Sequence, residues 1–389
     1  MDVYIAEARR SPIGKICGAL SSISAADLGA QVVSAMIQEN DLDPDGFDDV
    51  ILGQVLTGGA GQNPARQTAL AAGISTKTPA LTINQVCGAG QRSMHLAAQA
   101  ISSGDAGLII AGGQDSMTQA PHTVSIRTPS KMGDAKAKDT VLTDGLIDAF
   151  HDIHMGSTVE QLATRFQITR DEQDVFAVQS QAKTASAMQD GKFDAEIVPI
   201  AISVKGRTET VGLDEHPNAN TDTASLARLK PVFDPEGTIT AGNSSGLNDG
   251  AAAVIIGNED RIAQAGLKPL ARIVSFASAG VEPMDMGLGP VEASTLALAK
   301  AGWSVDDVDL LEINEAFAAQ AIAVNKMMGW DTSKLNVNGG AIALGHPLAG
   351  SGARLVVTLL HEMMRRDVKR GLASMCIGGG QGVAICLER

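Results

Sequence analysis

A chain of 389 residues is longer than one simple core organises, so two or three domains are expected. Its net charge of −14 argues against nucleic acid as a partner, since phosphate binding needs basic surface, but leaves room for an anionic substrate in a local basic pocket. Apolar residues make up 44% and aromatics only 3%, against 42 glycines. Small side chains therefore do much of the packing, as in tightly layered α/β structures.

The cysteines are Cys17, Cys87, Cys376 and Cys386. They form no CxxC pair and no zinc-spaced cluster with histidine, so no metal is expected. Reduced thiols in a cytoplasmic compartment are expected instead. Met1-Asp2-Val3-Tyr4-Ile5 has no signal or transit pattern, and no apolar run reaches membrane-spanning length.

In chain order, Val3–Glu7 reads as a strand, Ala25–Asn40 as an amphipathic helix and Val50–Gly53 as a second strand. A Gly-rich loop, Gly58–Asn63, precedes a short helix, Pro64–Ala72, and a strand, Ala80–Ile83. The stretch Ile83-Asn84-Gln85-Val86-Cys87-Gly88-Ala89-Gly90 then turns from strand into a helix over Gln91–Ile101. That places Cys87 at a helix head, where partial positive charge stabilises a thiolate. Gly88 and Gly90 leave the thiol uncrowded. Leu108–Gln114 closes this part as a strand. From Thr118 to Leu247 charge and methionine increase, with loops at Thr128–Lys138 and Asp214–Asp222 and an exposed helix at Arg170–Asp190. Alternation resumes with a strand at Ala251–Gly257, and a last section starts near Pro269.

The last section repeats the first. Residues 307–312 echo 48–53, and 371–380 echo 106–113. Gly345-His346-Pro347, followed by a helix over Ser351–Arg366, occupies the place of Cys87. Two similar βαβ-type halves packed about a pseudo-twofold axis set Cys87 beside His346. An imidazole near neutrality is the natural base for a thiol. Cys376 stands before Gly378-Gly379-Gly380, whose backbone N–H groups suit an oxyanion hole, and is itself a candidate acid/base. Asn314 follows the strand Asp309–Ile313, where it can orient a water or donate to an oxyanion. A nucleophilic thiol, its base, a second thiol and amide donors state a chemistry: acyl transfer through a thioester, then attack by a carbon nucleophile.

Over its full length the chain resembles the thiolase family, of the biosynthetic acetyl-CoA acetyltransferase type. The resemblance rests on Asn84-Gln85-Val86-Cys87-Gly88, His154-Met155-Gly156, Gly242 to Gly250, Asn314-Glu315-Ala316-Phe317, Gly345-His346-Pro347 and Cys376 to Gly380. It implies a layered α-β-α-β-α core. Residues 1–117 with 248–268 form one half, 269–389 the other, and 118–247 an inserted loop domain that binds CoA. Cys87 is implied to take the acetyl group with His346 as activator, and Cys376 to take a methyl proton from a second acetyl-CoA. His346 with a water on Asn314 forms one implied oxyanion hole, the N–H groups of Cys87 and Gly378 the other. The products are acetoacetyl-CoA and CoA, with CoA as substrate and product and no further cofactor. Ser245 is implied to contact the pantetheine arm, with Ser225, Phe233, Ala241 and Leu247 along its path. His154, Met155, Met286, Ala316 and Phe317 border a small acyl pocket. Lys131-Met132-Gly133-Asp134 matches the region that joins dimers into homotetramers.

Ala89 replaces the usual Ser or Thr, and Asn218 stands where relatives commonly carry Arg near the CoA nucleotide. Lys205, Arg207, Arg228 and Lys230 are the substitute cations. The alternatives are a degradative 3-ketoacyl-CoA thiolase, distinguished by pocket size, a ketoacyl-carrier-protein synthase, which would use a second His in place of Cys376, and a non-catalytic acyl-CoA or lipid binder.

Overall fold

The computed structural model describes residues 2–127 and 131–389. Residues 128–130, which open the expected loop 128–138, lie outside the described residues. Among the described residues the main sheet has ten strands. It runs Leu310–Ile313, Arg370–Ile377, Gln381–Glu388, Ala271–Gly280, Tyr4–Arg10, Asn248–Gly257, Leu108–Ser116, Asp49–Gly53, Ala80–Ile83, with Gly14–Lys15 beside Asn248–Gly257.

The sheet carries the repeat seen in the sequence. Asp49–Gly53 pairs parallel with Leu108–Ser116, and Leu310–Ile313 pairs parallel with Arg370–Ile377. Each second strand continues antiparallel, to Asn248–Gly257 in one half and to Gln381–Glu388 in the other. Those continue antiparallel again, to Tyr4–Arg10 and to Ala271–Gly280. The halves join where Tyr4 opposes Arg272 and Ile5 opposes Ala271.

Successive strand residues face opposite sides, so each half feeds two cores. Ile109, Ala111, Val254, Ile256, Met375 and Ile385 all face a central core with Met94 and Leu355. Leu108 and Ile110 face outward onto Leu28, Val32 and Met36 of the helix Ala25–Glu39. Leu372 and Ala384 face outward onto Val291 and Leu298 of the helix Gly289–Ala301. The helices Ala89–Ser103 and Ala349–Arg366 fill the middle, which gives five layers, α-β-α-β-α.

The segment 118–247 leaves the first half and packs largely on the second. Its helices Met155–Arg165 and Arg170–Gln189 lie against Ala318–Met328. The second of these is not the exposed helix expected: Gln173, Asp174, Ala177, Ser180, Gln181, Thr184 and Ala187 are buried. Its inner face is polar because partners satisfy it, as where Ser180 Oγ donates to Glu315 Oε2 at 2.6 Å. A hairpin, Ile200–Val204 with Arg207–Val211, packs on the outer core of the first half.

A buried ion cluster ties the insertion to the first strand. Arg10 donates to Glu196 at 2.6 Å and to both oxygens of Asp214 at 2.7 and 2.9 Å, all three side chains being buried. Removing one partner of a buried pair strands the other charges, at a cost of about 3–5 kcal/mol. Arg10→Met should therefore lower the urea midpoint markedly. Adding Glu196→Gln and Asp214→Asn should recover part of the loss, and an unchanged midpoint in the single variant would refute this account.

Candidate active site

The strand Ala80–Ile83 ends in a strained turn. Val86, a β-branched residue, has φ +46°, held by Asn84 Oδ1 accepting from the Val86 N–H at 2.8 Å. This kink sets Cys87 just ahead of Gly88, the first residue flanking the helix Ala89–Ser103. The His346 turn is equally constrained. Gly345 has φ +103° and Leu348 φ +37°, and the helix Ala349–Arg366 starts immediately after. A Cβ at Gly345 would fall 2.5 Å from the carboxamide of Asn248, so that position demands glycine. Asn248 Oδ1 accepts from the His346 N–H at 2.9 Å, and Asn248 Nδ2 donates to Gly14 O at 2.8 Å.

The two helix heads touch. A Cβ on Gly90 would lie 2.2 Å from Ala349 O, and one on Gly352 would lie 2.7 Å from Gln91 N. No side chain fits at either place. Because Cys87 and His346 precede these heads, contact between the helices brings both residues to one cavity. Asp115 completes the seam: its carboxylate accepts from the N–H groups of Val55, Leu56 and Ala349 at 2.9–3.2 Å. It thereby caps a helix whose own N-cap, Leu348, offers no side-chain bond.

Cys376 arrives from the strand Arg370–Ile377, and the turn behind it uses Gly379 and Gly380, each at φ +82°. Gln85 Nε2 donates to Gln381 Oε1 at 2.9 Å and staples this turn to that of Cys87. The result is a cavity of about 490 Å³ lined by Cys87, His346, Cys376 and Gly378. Its apolar wall is shared between the insertion and the second half, with Met155, Met286, Ala316 and Phe317 in one core beside Cys376. His154 stacks on Phe233 with ring centroids 4.6 Å apart, and Phe233 meets Phe317 edge-on at 6.2 Å. Ser245, Ala241 and Leu247 also line the cavity, with Ser245 beside the same wall, where its N–H donates to Ala316 O at 2.9 Å.

Two expected residues do not line this cavity. Ser225 sits in the helix Thr223–Leu226 and donates to Asp222 O at 2.7 Å. Asn314 is fully buried; its N–H donates to Ser374 O at 3.0 Å, and its carboxamide has no protein partner among the described residues. Lys205 and Arg207 stand on the hairpin packed on the helix Ala25–Glu39, to which Gln31 Nε2 binds through Ala201 O at 2.9 Å. Only Arg228 and Lys230 adjoin the lining residues Val232 and Phe233 in the chain. Conversely His216, Leu348, Met117 and Leu146 line the cavity without having been singled out. His216 had a signal, since it precedes Pro217 in a loop already noted, but apolar lining residues carry none.

The surroundings of Cys87 work against the thiolate expected at the helix head. Burial pushes its thiol up to about 12; the Gly378 N–H opposes this, and the charge of Asp115 adds to it. Burial, then the charge of Arg354, pushes His346 down to about 4, so its imidazole is neutral at physiological pH. Burial and the nearby Cys87 hold the Cys376 thiol far above its ordinary value. Burial also raises Asp115 to about 7. The resting site is thus a set of neutral groups, one of them a base, with the Cys87 and Gly378 N–H groups directed at the Cys87 sulfur.

The thiolase N-terminal domain model matches residues 3–260 and the thiolase C-terminal domain model residues 267–389. The acetyl-CoA acetyltransferase of Allochromatium vinosum is 54% identical over 390 residues, covering 100% of this chain and 99% of that protein. That of Pseudomonas aeruginosa is 53% identical, with the same coverage. The crystal structure of the Bacillus anthracis acetyl-CoA acetyltransferase superposes with a TM-score of 0.97 at 41% identity, covering 100% of this chain and 98% of that one. With matched models spanning nearly every residue of a duplicated fold whose turns meet at one cavity, the chain belongs to the thiolase family.

Proposed function

We propose that this protein is an acetyl-CoA C-acetyltransferase, joining two acetyl-CoA into acetoacetyl-CoA and CoA, reversibly, through an acetyl group on Cys87. The observation that carries this is one cavity holding two thiols, a neutral imidazole and the Gly378 N–H. His346 takes the Cys87 proton as the sulfur attacks the first thioester. The N–H groups of Cys87 and Gly378 hold the resulting oxyanion. Cys376 protonates the departing CoA sulfur and becomes a thiolate beside the His346 imidazolium. That thiolate then removes a methyl proton from the second acetyl-CoA, with the enolate oxygen held by His346 and a water on Asn314. The enolate carbon attacks acetyl-Cys87, whose sulfur leaves and recovers its proton from His346. Every proton is returned, and the steps use side chains, amides and water, with CoA as substrate and product and no metal.

Ser245, Phe233, Ala241 and Leu247 would guide the pantetheine arm, with Ser225, Arg228 and Lys230 further out and Asn218 unable to supply a cation. His154, Met155, Met286, Ala316 and Phe317 close the acyl end. The division into 1–117 with 248–268, 118–247 and 269–389, a cytoplasmic location and assembly into a homotetramer through Lys131–Asp134 belong to the same proposal. Among the described residues no helix is long and apolar enough to cross a membrane.

Three measurements test it. Thiolysis rates should fall steeply beyond acyl chains of about five carbons, since each excess methylene costs about 1–3 kcal/mol in a closed pocket. A flat profile would favour a degradative thiolase of broader range. Cys376→Ala should reduce condensation by about 10²-fold or more. If it condenses at the parent rate, another group is the second base. In the parent, alkylation of Cys87 should vary little between about pH 7 and 9, because His346, neutral above about 4, is a competent base throughout. In His346→Ala the reaction should be slower and climb about tenfold per pH unit, because a thiol near 12 is then ionised only by solvent. Identical pH profiles would remove His346 from that role.

A further inference from the structure

The ring of His346 has a neighbour that the reaction scheme does not use. Ser351 Oγ is in hydrogen-bond contact with His346 Nδ1, and Ser351 is buried, 1% exposed. Ser351 lies in the first turn of the helix Ala349–Arg366, the helix whose head meets Gly90 and is capped by Asp115. Its position is therefore set by the seam between the halves. The other end of the histidine is fixed too, since Asn248 holds its backbone N–H.

We propose that Ser351 is the positioning residue of His346: its hydroxyl oxygen accepts from Nδ1–H, which leaves Nε2 bare and aimed at the Cys87 thiol. This rests on the functional reading above and deepens it. A neutral imidazole carries one proton, on either nitrogen. Only the form protonated at Nδ1 can take the Cys87 proton at Nε2. A buried N–H without an acceptor is costly, so an acceptor at Nδ1 favours the useful form. When Nε2 takes the thiol proton, Nδ1–H stays on Ser351 and the ring does not move. Histidine bases are commonly held by a carboxylate, which would also stabilise the imidazolium. Here the partner is a neutral hydroxyl, and the nearby charge is Arg354, whose guanidinium opposes a second positive charge. The pair thus provides orientation without raising basicity, and the proton is returned readily to the Cys87 sulfur.

The test compares Ser351→Ala, Ser351→Thr and Ser351→Asp in the full-length protein. Two readouts are used: acetylation of Cys87 by acetyl-CoA, and alkylation of Cys87 by iodoacetamide from about pH 5 to 9. Ser351→Ala should slow acetylation by about 10²-fold at unchanged KM for acetyl-CoA, the scale of a misplaced catalytic group. Ser351→Thr, which keeps the hydroxyl, should recover most of that loss. Ser351→Asp should stabilise the imidazolium and move the acid limb of the alkylation profile to higher pH, into the measured range, a shift that a simple loss of packing would not produce. Equal impairment in the Ala and Thr variants, or parent-like acetylation in Ser351→Ala, would overturn the proposal. Should the Asp variant not fold, the Ala and Thr pair decides alone. If the parent itself takes no acetyl group from acetyl-CoA, the functional reading fails, while iodoacetamide still reports on the Ser351 contact because it needs no CoA.

Discussion

The contact between two helix heads governs this molecule. Gly90 against Ala349 and Gly352 against Gln91 allow backbone to meet backbone where any side chain would intrude. Each helix begins just after a kinked turn, and each turn carries one member of the reactive pair. Moving the heads apart by the width of a methyl group would separate Cys87 from His346 by a comparable distance. The placing of Cys87 and His346 at one cavity is thus an outcome of close packing in the middle layer, supported on both faces by strands that contribute Ile109, Val254, Met375 and Ile385 to one core.

The same packing accounts for the electrostatics. Burial penalises charge, and it is the leading cause of the raised thiols and the lowered imidazole. Burial therefore favours the neutral forms of Cys87, Cys376 and His346 over an ion pair. Backbone N–H groups suit that regime, since they are dipoles already fixed in place. Asp115 illustrates the limit: three N–H donors surround its carboxylate, and burial still lifts it to about 7.

What the sequence disclosed follows from what kinds of residue each feature needs. The reactive turns were legible because they demand glycine, proline or asparagine at set places, as at Asn84, Gly345 and Pro347. The duplication was legible through two parallel strand pairs that recur in order. The strands Ala271–Gly280 and Gln381–Glu388 were not foreseen, and Leu108–Ser116 ran two residues beyond its expected end. Most of Gln381–Glu388 and all of Leu108–Ser116 are buried on both faces, which erases the alternation that marks a strand. The helix Arg170–Gln189 was misread as exposed for the converse reason, its inner face being polar and hydrogen-bonded. Residues such as Leu348 and Met117 reach the cavity only through tertiary folding, and no local pattern distinguishes them from core.

The seam also bears on how such a chain can change over time. A duplicated gene normally frees one copy to drift while the other keeps its task. Here each half supplies one side of a backbone contact with no spare volume, so a larger residue at Gly90 cannot be absorbed unless Ala349 and its neighbours retreat. The two halves are bound to drift together at their junction, while the segment 118–247, which supplies much of the cavity lining from outside that contact, is freer to change.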